Sequence, residues 1–219
     1  MRLPRALAIS LLIGATGLAA CADLGPGTSA NVAVTLQQSD AALAFAAEGW
    51  FASQHAGLGA AGNISRDTVA ALVIRVTSVQ FLPDTGSEDA DAAWESLTLD
   101  DAAVIDLLAL PTDDTSPLVI VSGSVAVGNY RKVRLFVDSA AIEFKGPVSI
   151  GGAFTFAAGT VYPVEIPSGA QTGLKTDMGF TVEEGAEVHL VFAPSATFAN
   201  VTATGNGRVM LSPVIRSRS

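Results

Sequence analysis

The sequence predicts an all-β domain, an antiparallel β-sandwich with Greek-key connections of the immunoglobulin or transthyretin type, standing behind a cleaved lipoprotein signal peptide. Three observations predict it. Short runs rich in Val, Ile, Thr and Phe recur from Val32 to Ile215, punctuated by Gly, Pro and Asp, which is the pattern of strands joined by tight turns. No strand–helix–strand alternation appears, so a parallel nucleotide-binding sheet is excluded. The first 20 residues have a charged start, an apolar middle and small residues at the end, the anatomy of a secretory signal.

The elements follow in order. Residues 1–20 are the signal peptide and residues 21–31 a tether, in which Gly25-Pro26-Gly27-Thr28-Ser29 reads as flexible. One globular domain fills 32–219. Val32 to Leu36 alternates as a first strand. Residues 40–67 read as an insertion: Ala41 to Glu48 offers two helical turns, Gly57 to Asn63 is loop-like, and Trp50, Phe51 and His55 supply groups that pack on the sandwich. In Ala70 to Leu82, Leu72, Ile74 and Val76 share one parity while Val79 and Phe81 have the other. A β-bulge near Thr77-Ser78 would turn both sets inward. Pro83-Asp84-Thr85-Gly86 is a turn. Short strands at Trp94 to Leu99 and Ala103 to Leu108 flank Asp100-Asp101, and Leu118 to Val127 is another strand. Arg131 to Val137 sets Val133, Leu135 and Val137 against Lys132, Arg134 and Phe136, so one face is core and the other outward. Val148 to Phe156 is a hairpin broken at Gly151-Gly152, and Val161 to Ile166, Gly179 to Val182, Glu187 to Phe192 and Arg208 to Ile215 complete the set.

The single cysteine, Cys21, closes the string Leu18-Ala19-Ala20-Cys21. This string resembles the lipobox of bacterial lipoproteins, which implies a diacylglycerol on the thiol and cleavage before it. With one cysteine there is no intrachain disulfide, so the fold stands on its core. The expected partner at this end is a membrane, reached through lipid on Cys21; acyl chains contribute about 0.8 kcal/mol per buried methylene. The expected location is the cell envelope. Ala22, rather than an aspartate, follows the cysteine, and this leans toward the outer membrane. Loss of Arg2 and Arg5 with the signal takes the formal charge from −9 to −11. Such acidity excludes nucleic acid as a partner class and disfavours peripheral binding to anionic lipid.

Candidate chemistry is sparse. Asp84, Glu88, Asp89 and Asp91 cluster in a turn-rich stretch. Carboxylate oxygens suit calcium, but this spacing matches no calcium loop and a solvated acidic loop is the simpler reading. His55 and His189 are the only histidines, too few for a His-rich zinc site. Ser122-Gly123-Ser124 is not a nucleophile elbow. Trp50, Trp94, Tyr130 and Tyr162 are candidates for a sugar-stacking platform, against the ordinary use of such residues in a core. Pro167-Ser168-Gly169-Ala170-Gln171-Thr172-Gly173-Leu174-Lys175 superficially suggests a phosphate loop, yet three residues rather than four separate its glycines and Leu174 precedes the lysine. A structural corner fits better: Pro167 fixes φ, Gly169 and Gly173 permit positive φ, and Ser168, Gln171 and Thr172 hydrogen-bond local backbone.

That same string resembles the PSG-x-QTGLK signature of a bacterial and archaeal lipoprotein family, domain-of-unknown-function family 4382. Val104-Ile105-Asp106-Leu107-Leu108 is similar to its V-D-L-L segment, Gly128-Asn129-Tyr130 to Val137 to its G-x-Y strand, and Leu211-Ser212-Pro213-Val214-Ile215 to its closing L-x-P-V-I. The matches run in order from Ala70 to Ile215. The family's Asp-Ala-Pro after the first strand is replaced by Asp40-Ala41-Ala42. The resemblance implies an exported β-sandwich-like domain and carries no activity with it.

The expected function is therefore a non-enzymatic, lipid-anchored envelope protein that binds a protein partner or contributes to envelope structure. A ligand-binding module for glycan or calcium is the alternative, and a hydrolase without a recognisable motif comes third. No cofactor is expected. An exposed apolar patch or a bare sheet edge would favour a protein partner.

Overall fold

Apolar alternation makes nearly the whole described chain into strands. The computed structural model describes residues 28–39, 60–62, 64–112, 116–150, 154–167, 172–199, 201–203 and 207–218. The signal peptide, Cys21, the start of the tether, residues 40–59 of the expected insertion, and Ser168, Gly169 and Gln171 lie outside them. The strands are β1 (Ser29–Gln38), β2 (Ala60–Gly62), β3 (Val69–Pro83), β4 (Glu95–Asp106), β5 (Leu118–Ala126), β6 (Gly128–Phe144) and β7 (Val148–Ile150). They continue with β8 (Phe154–Phe156), β9 (Val161–Glu165), β10 (Leu174–Val182), β11 (Ala186–Phe192), β12 (Val201–Ala203), β13 (Val209–Met210) and β14 (Ile215–Arg218). One short helix, α1 (Pro194–Phe198), opens with proline in its first turn, where the missing N–H costs nothing.

A large sheet runs β2-β12-β13-β9-β6-β3-β4, with β10 also on β6; a smaller one runs β14-β11-β1-β5; β7 and β8 pair as a hairpin. The spine of the large sheet is β3 against β6, antiparallel over most of both strands. The bulge expected near Thr77-Ser78 is present: pairing to both β4 and β6 shifts between Val76 and Ser78. As a result Leu72, Ile74, Val76, Val79 and Phe81 are all fully buried. On the other side of β6, its first half pairs with β10 and its second half with β9.

The sandwich is all-β as expected, but its pairing is mixed rather than purely antiparallel. β1 runs parallel to β11, and β13 parallel to β9. Parallel neighbours require a long crossover, and almost the entire domain lies between β1 and β11. The inner faces of both sheets meet in one core, with Val34 and Leu36 from β1, Val188 and Leu190 from β11, and Val133 and Leu135 from β6. The hairpin strand β8 brings Phe156 onto Phe144 and Tyr162, at ring-centre distances of 5.4 and 4.9 Å.

Several details differ from the sequence expectation. The expected strand Arg208 to Ile215 is two, β13 in the large sheet and β14 in the smaller one. The two short strands around Asp100-Asp101 are one strand, β4, whose pairing to β3 is interrupted between Thr98 and Ala103. β10 begins at Leu174 instead of Gly179. Within the expected insertion, Ala60–Gly62 is a strand paired with β12, and Arg66–Thr68 a 3-10 turn capped by the Ser65 side chain accepting from Asp67 N–H.

Candidate functional site

Strand β4 is one edge of the large sheet and β5 one edge of the smaller, and they lie side by side along one flank of the sandwich. At one end this seam is closed. Ala126 N–H donates to the Glu95 carboxylate at 2.9 Å, and the Tyr130 hydroxyl donates to the Ala126 carbonyl at 2.8 Å. Both backbone groups of that residue are thereby satisfied by side chains from neighbouring strands. Tyr130 is buried, and burial, followed by the nearby Glu95 carboxylate, pushes its phenol well above the ordinary value. It therefore stays protonated and donating across the physiological range. Gly123 lets the strands approach, since a Cβ there would stand 2.8 Å from Leu97 Cδ2.

Toward the other end the seam opens into a cleft of about 440 Å³, walled by Val104, Ile105, Leu110, Leu118 and Val119, with Asp106 at its side. Three of these apolar residues face solvent: Val104 is 68% exposed, Val119 57% and Leu118 40%. The loop beneath is held firmly. Asp106 Oδ1 accepts from Leu72 N–H and Leu108 N–H at 3.1 and 3.0 Å. Buried Gln38 donates to the Leu108 and Leu110 carbonyls and accepts from Arg66. The wall formed by residues 106–110 is therefore preformed. Nothing in the local sequence around Val104 or Val119 reveals this cleft, because it arises from which strands the topology leaves at the edges.

The acidic stretch 84–91 lies elsewhere, folded over the outer face of β6 and β10. Glu88 sits between Lys132 Nζ at 2.8 Å and Lys175 Nζ at 2.9 Å, and the hydrogen bonds from Lys132 and then Lys175 hold its carboxyl down at about 2. Lys132 also meets Asp177 at 2.9 Å, and the hydrogen bonds it donates to Asp177 and then to Glu88 raise the pKa of its ammonium. Asp91 meets Arg134 at 3.1 Å. The Arg134 guanidinium lies over Trp94 at 4.1 Å and Phe136 at 4.9 Å, with Nε donating to Gln80. Stacking on two rings explains why Arg134, on the outward face of β6, is only 4% exposed. Asp84 and Asp89 are exposed. Among the described residues no group of three or more His, Cys, Asp or Glu comes together to hold a metal ion. Glu88 and Asp91 face cations rather than each other.

The signature string thus has a visible role at its described end. Lys175 ties β10 to the 84–94 loop through Glu88, and Leu174 pairs with Leu135. Gly173 has φ +73°, and a Cβ there would lie 3.1 Å from the Leu135 carbonyl oxygen. Pro167 and Thr172 are exposed.

Neutralising Glu88 tests this clamp. The depressed carboxyl contributes stability above its unfolded value near 4.5, and that contribution is lost as pH falls from there toward 2. The side chain is a third exposed, so solvent screening reduces the contribution to about 1 kcal/mol. Glu88→Gln is expected to lower stability by that amount at pH 7 and by almost nothing at pH 2, as read by urea unfolding at the two pH values.

Two remaining candidates have plain placements. Trp94 and Tyr130 are buried and present no free stacking face, while Tyr162 is half-buried and its hydroxyl accepts from Ala157 N–H at 2.8 Å; Trp50 and His55 lie outside the described residues. Thr35 Oγ1 lies 2.9 Å from His189 Nδ1, and His189 Nε2 lies 3.5 Å from Glu187. This hydroxyl–imidazole–carboxylate order resembles a nucleophile triad. Thr35, however, is 3% exposed on a strand paired on both sides, which denies a substrate carbonyl access to its oxygen.

A family model described as a domain of unknown function (DUF4382) matches residues 64–213, in agreement with the resemblance carried by the signature string. No curated protein and no solved structure matches the chain.

Proposed function

The chain belongs to this DUF4382 family, and we propose that it is a non-enzymatic, lipid-anchored component of a bacterial cell envelope that docks a protein partner at the open end of the β4–β5 seam. One observation carries the reading: Val104, Leu118 and Val119 are exposed together around an apolar cleft between two sheet edges. Contiguous exposed apolar surface of this kind is retained where a partner covers it, and an open sheet edge is itself a template for pairing. The address rests on the sequence: a signal-peptide pattern ending in Leu-Ala-Ala-Cys supports lipid on Cys21, and Ala22 after it supports the outer membrane. No helix among the described residues is long and apolar enough to cross a membrane.

The test places a photo-cross-linking residue at Val119 or Val104 of the full chain in its native cells, with Val161 as control. Val161 is 63% exposed but lies on β9, away from the seam. Discrete protein adducts are expected from the seam positions and not from Val161. Equal labelling from all three would remove the docking reading. In the same cells Cys21→Ser is expected to move the chain from the membrane to the soluble fraction; retention in the membrane would remove the anchor.

A further inference from the structure

We infer that the segment the seam receives is an extended stretch of the partner that carries both apolar and basic residues, added as a strand along the free edge of β5. The inference rests on the docking reading above and specifies the chemistry of what docks.

The two edges of the seam are not equivalent. β4 is defended in the manner of natural edge strands: its pairing to β3 breaks between Thr98 and Ala103, and exposed Asp100 and Asp101 sit in the break. β5 has no such defence. From Leu118 to Val125 it contains no charged residue and no proline, and among the described residues its only strand partner is β1. Its pairing to β1 is regular from Val121 to Ala126, with Ser122 and Ser124 exposed. At Ala126 the edge is already closed by Glu95 and Tyr130. The free length therefore runs from Leu118 to Ser124, about 20 Å of strand. A strand added there places alternate side chains on the side of the cleft walled by Val104, Ile105, Leu110 and Val119.

Charge selects the occupant. Between Arg75 and Arg131 the chain has no Lys or Arg, yet it holds ten of its 21 acidic residues. Glu88 and Asp91 are neutralised by lysines and an arginine from β6 and β10. Asp100, Asp101 and Asp106 all lie on β4 and form no ion pair among the described residues; Asp106 lines the cleft, and Asp100 and Asp101 are exposed on the same strand. A second copy of this chain would bring acid against acid across the joint. A segment with Lys or Arg between its apolar residues satisfies both the apolar wall and the acidic rim.

The experiment measures binding of short fluorescent peptides to the full chain. One peptide alternates valine and lysine, one valine and glutamate, and one serine and lysine. The valine–lysine peptide is expected to bind at least tenfold more tightly than either of the others, and to weaken as salt rises. Val119→Lys is expected to cost at least tenfold with an unchanged unfolding midpoint, since the residue is largely exposed. Asp100→Asn combined with Asp101→Asn is expected to erase the preference for lysine over glutamate while binding persists. Equal binding of the glutamate peptide would overturn the charge inference and leave docking standing. An unchanged affinity in Val119→Lys, or no binding of any peptide by the folded chain, would overturn the strand-addition inference, with docking then decided by the cross-linking result. A dimer in sedimentation that Val119→Lys dissociates would make a second copy the occupant and overturn it as well.

Discussion

Gly173→Val is expected to lower the stability of the domain by about 2–4 kcal/mol. Two effects combine. The residue has φ +73°, a region where a β-branched side chain is a steric outlier, and holding a non-glycine residue in such a conformation costs about 1–3 kcal/mol. The added Cβ would also press on the Leu135 carbonyl oxygen at 3.1 Å and on Arg134 Cβ at 3.3 Å. Both belong to β6, which is paired on each side and has little room to retreat. The damage should spread to the clamp above, because Lys175 reaches Glu88 only when β10 starts in this register. Gly146→Ala is the control: nothing lies within 4 Å of a Cβ there, so its effect should stay within about 0.5 kcal/mol. Urea unfolding of the two variants reads the difference, and a Gly173→Val midpoint equal to that of Gly146→Ala would remove the conformational account of the signature glycine.

Phe144→Ala should cost about 3–5 kcal/mol, the range for deleting a fully buried aromatic ring. Phe144 is inaccessible to solvent and closes the end of β6, where its ring meets Phe156 at 5.4 Å and Tyr162 at 6.4 Å. These partners come from β8 and β9, so the ring joins the small hairpin to the large sheet. Phe156→Ala should behave similarly. The double variant should cost less than the sum, because the second deletion removes contacts that the first has already lost. Equilibrium unfolding with a two-state fit measures both. Strict additivity would show that the rings are buried independently rather than as one cluster.

Much of this fold was legible from alternation because alternation records which face a strand buries. The change of parity between Val76 and Val79 foretold the bulge, and Val133, Leu135 and Val137 foretold the inner face of β6. Legibility failed where a strand is made by its neighbours. Past Val137, the polar and small residues Asp138, Ser139 and Ala140 end the pattern, yet β6 continues to Phe144 because β3 and β9 pair with it on either side. Ala60–Gly62 and Val201–Ala203 are too short and too small to announce themselves; the first is a strand only against the second, which also pairs with β13. Arg134 read as an outward cation and is outward, but Trp94 and the 84–94 loop cover it. The acids of that loop were visible as a cluster, whereas the lysines that bind Glu88 lie far along the chain at 132 and 175. The seam was invisible for the same reason: an edge is a property of sheet order, not of any local run.

The parallel pairing of β1 with β11 has a consequence for how the chain acquires its structure. Val32 aligns with Ala186 and Leu36 with Leu190, so the first strand of the domain waits for almost the last. Long-range pairings of this kind are formed only after a large loop has been closed, and they slow folding relative to local hairpins. A chain made or translocated N-terminus first has β1 and β5 available early, but it cannot complete the smaller sheet until β11 and β14 arrive. Until then the β1 edge destined for β11 stays open, and its Val32, Val34 and Leu36 have a strand beside them on the β5 side alone. The domain is thereby biased to remain unlocked until its C-terminal strands are present, a kinetic property that the proposed export as an unfolded chain would require.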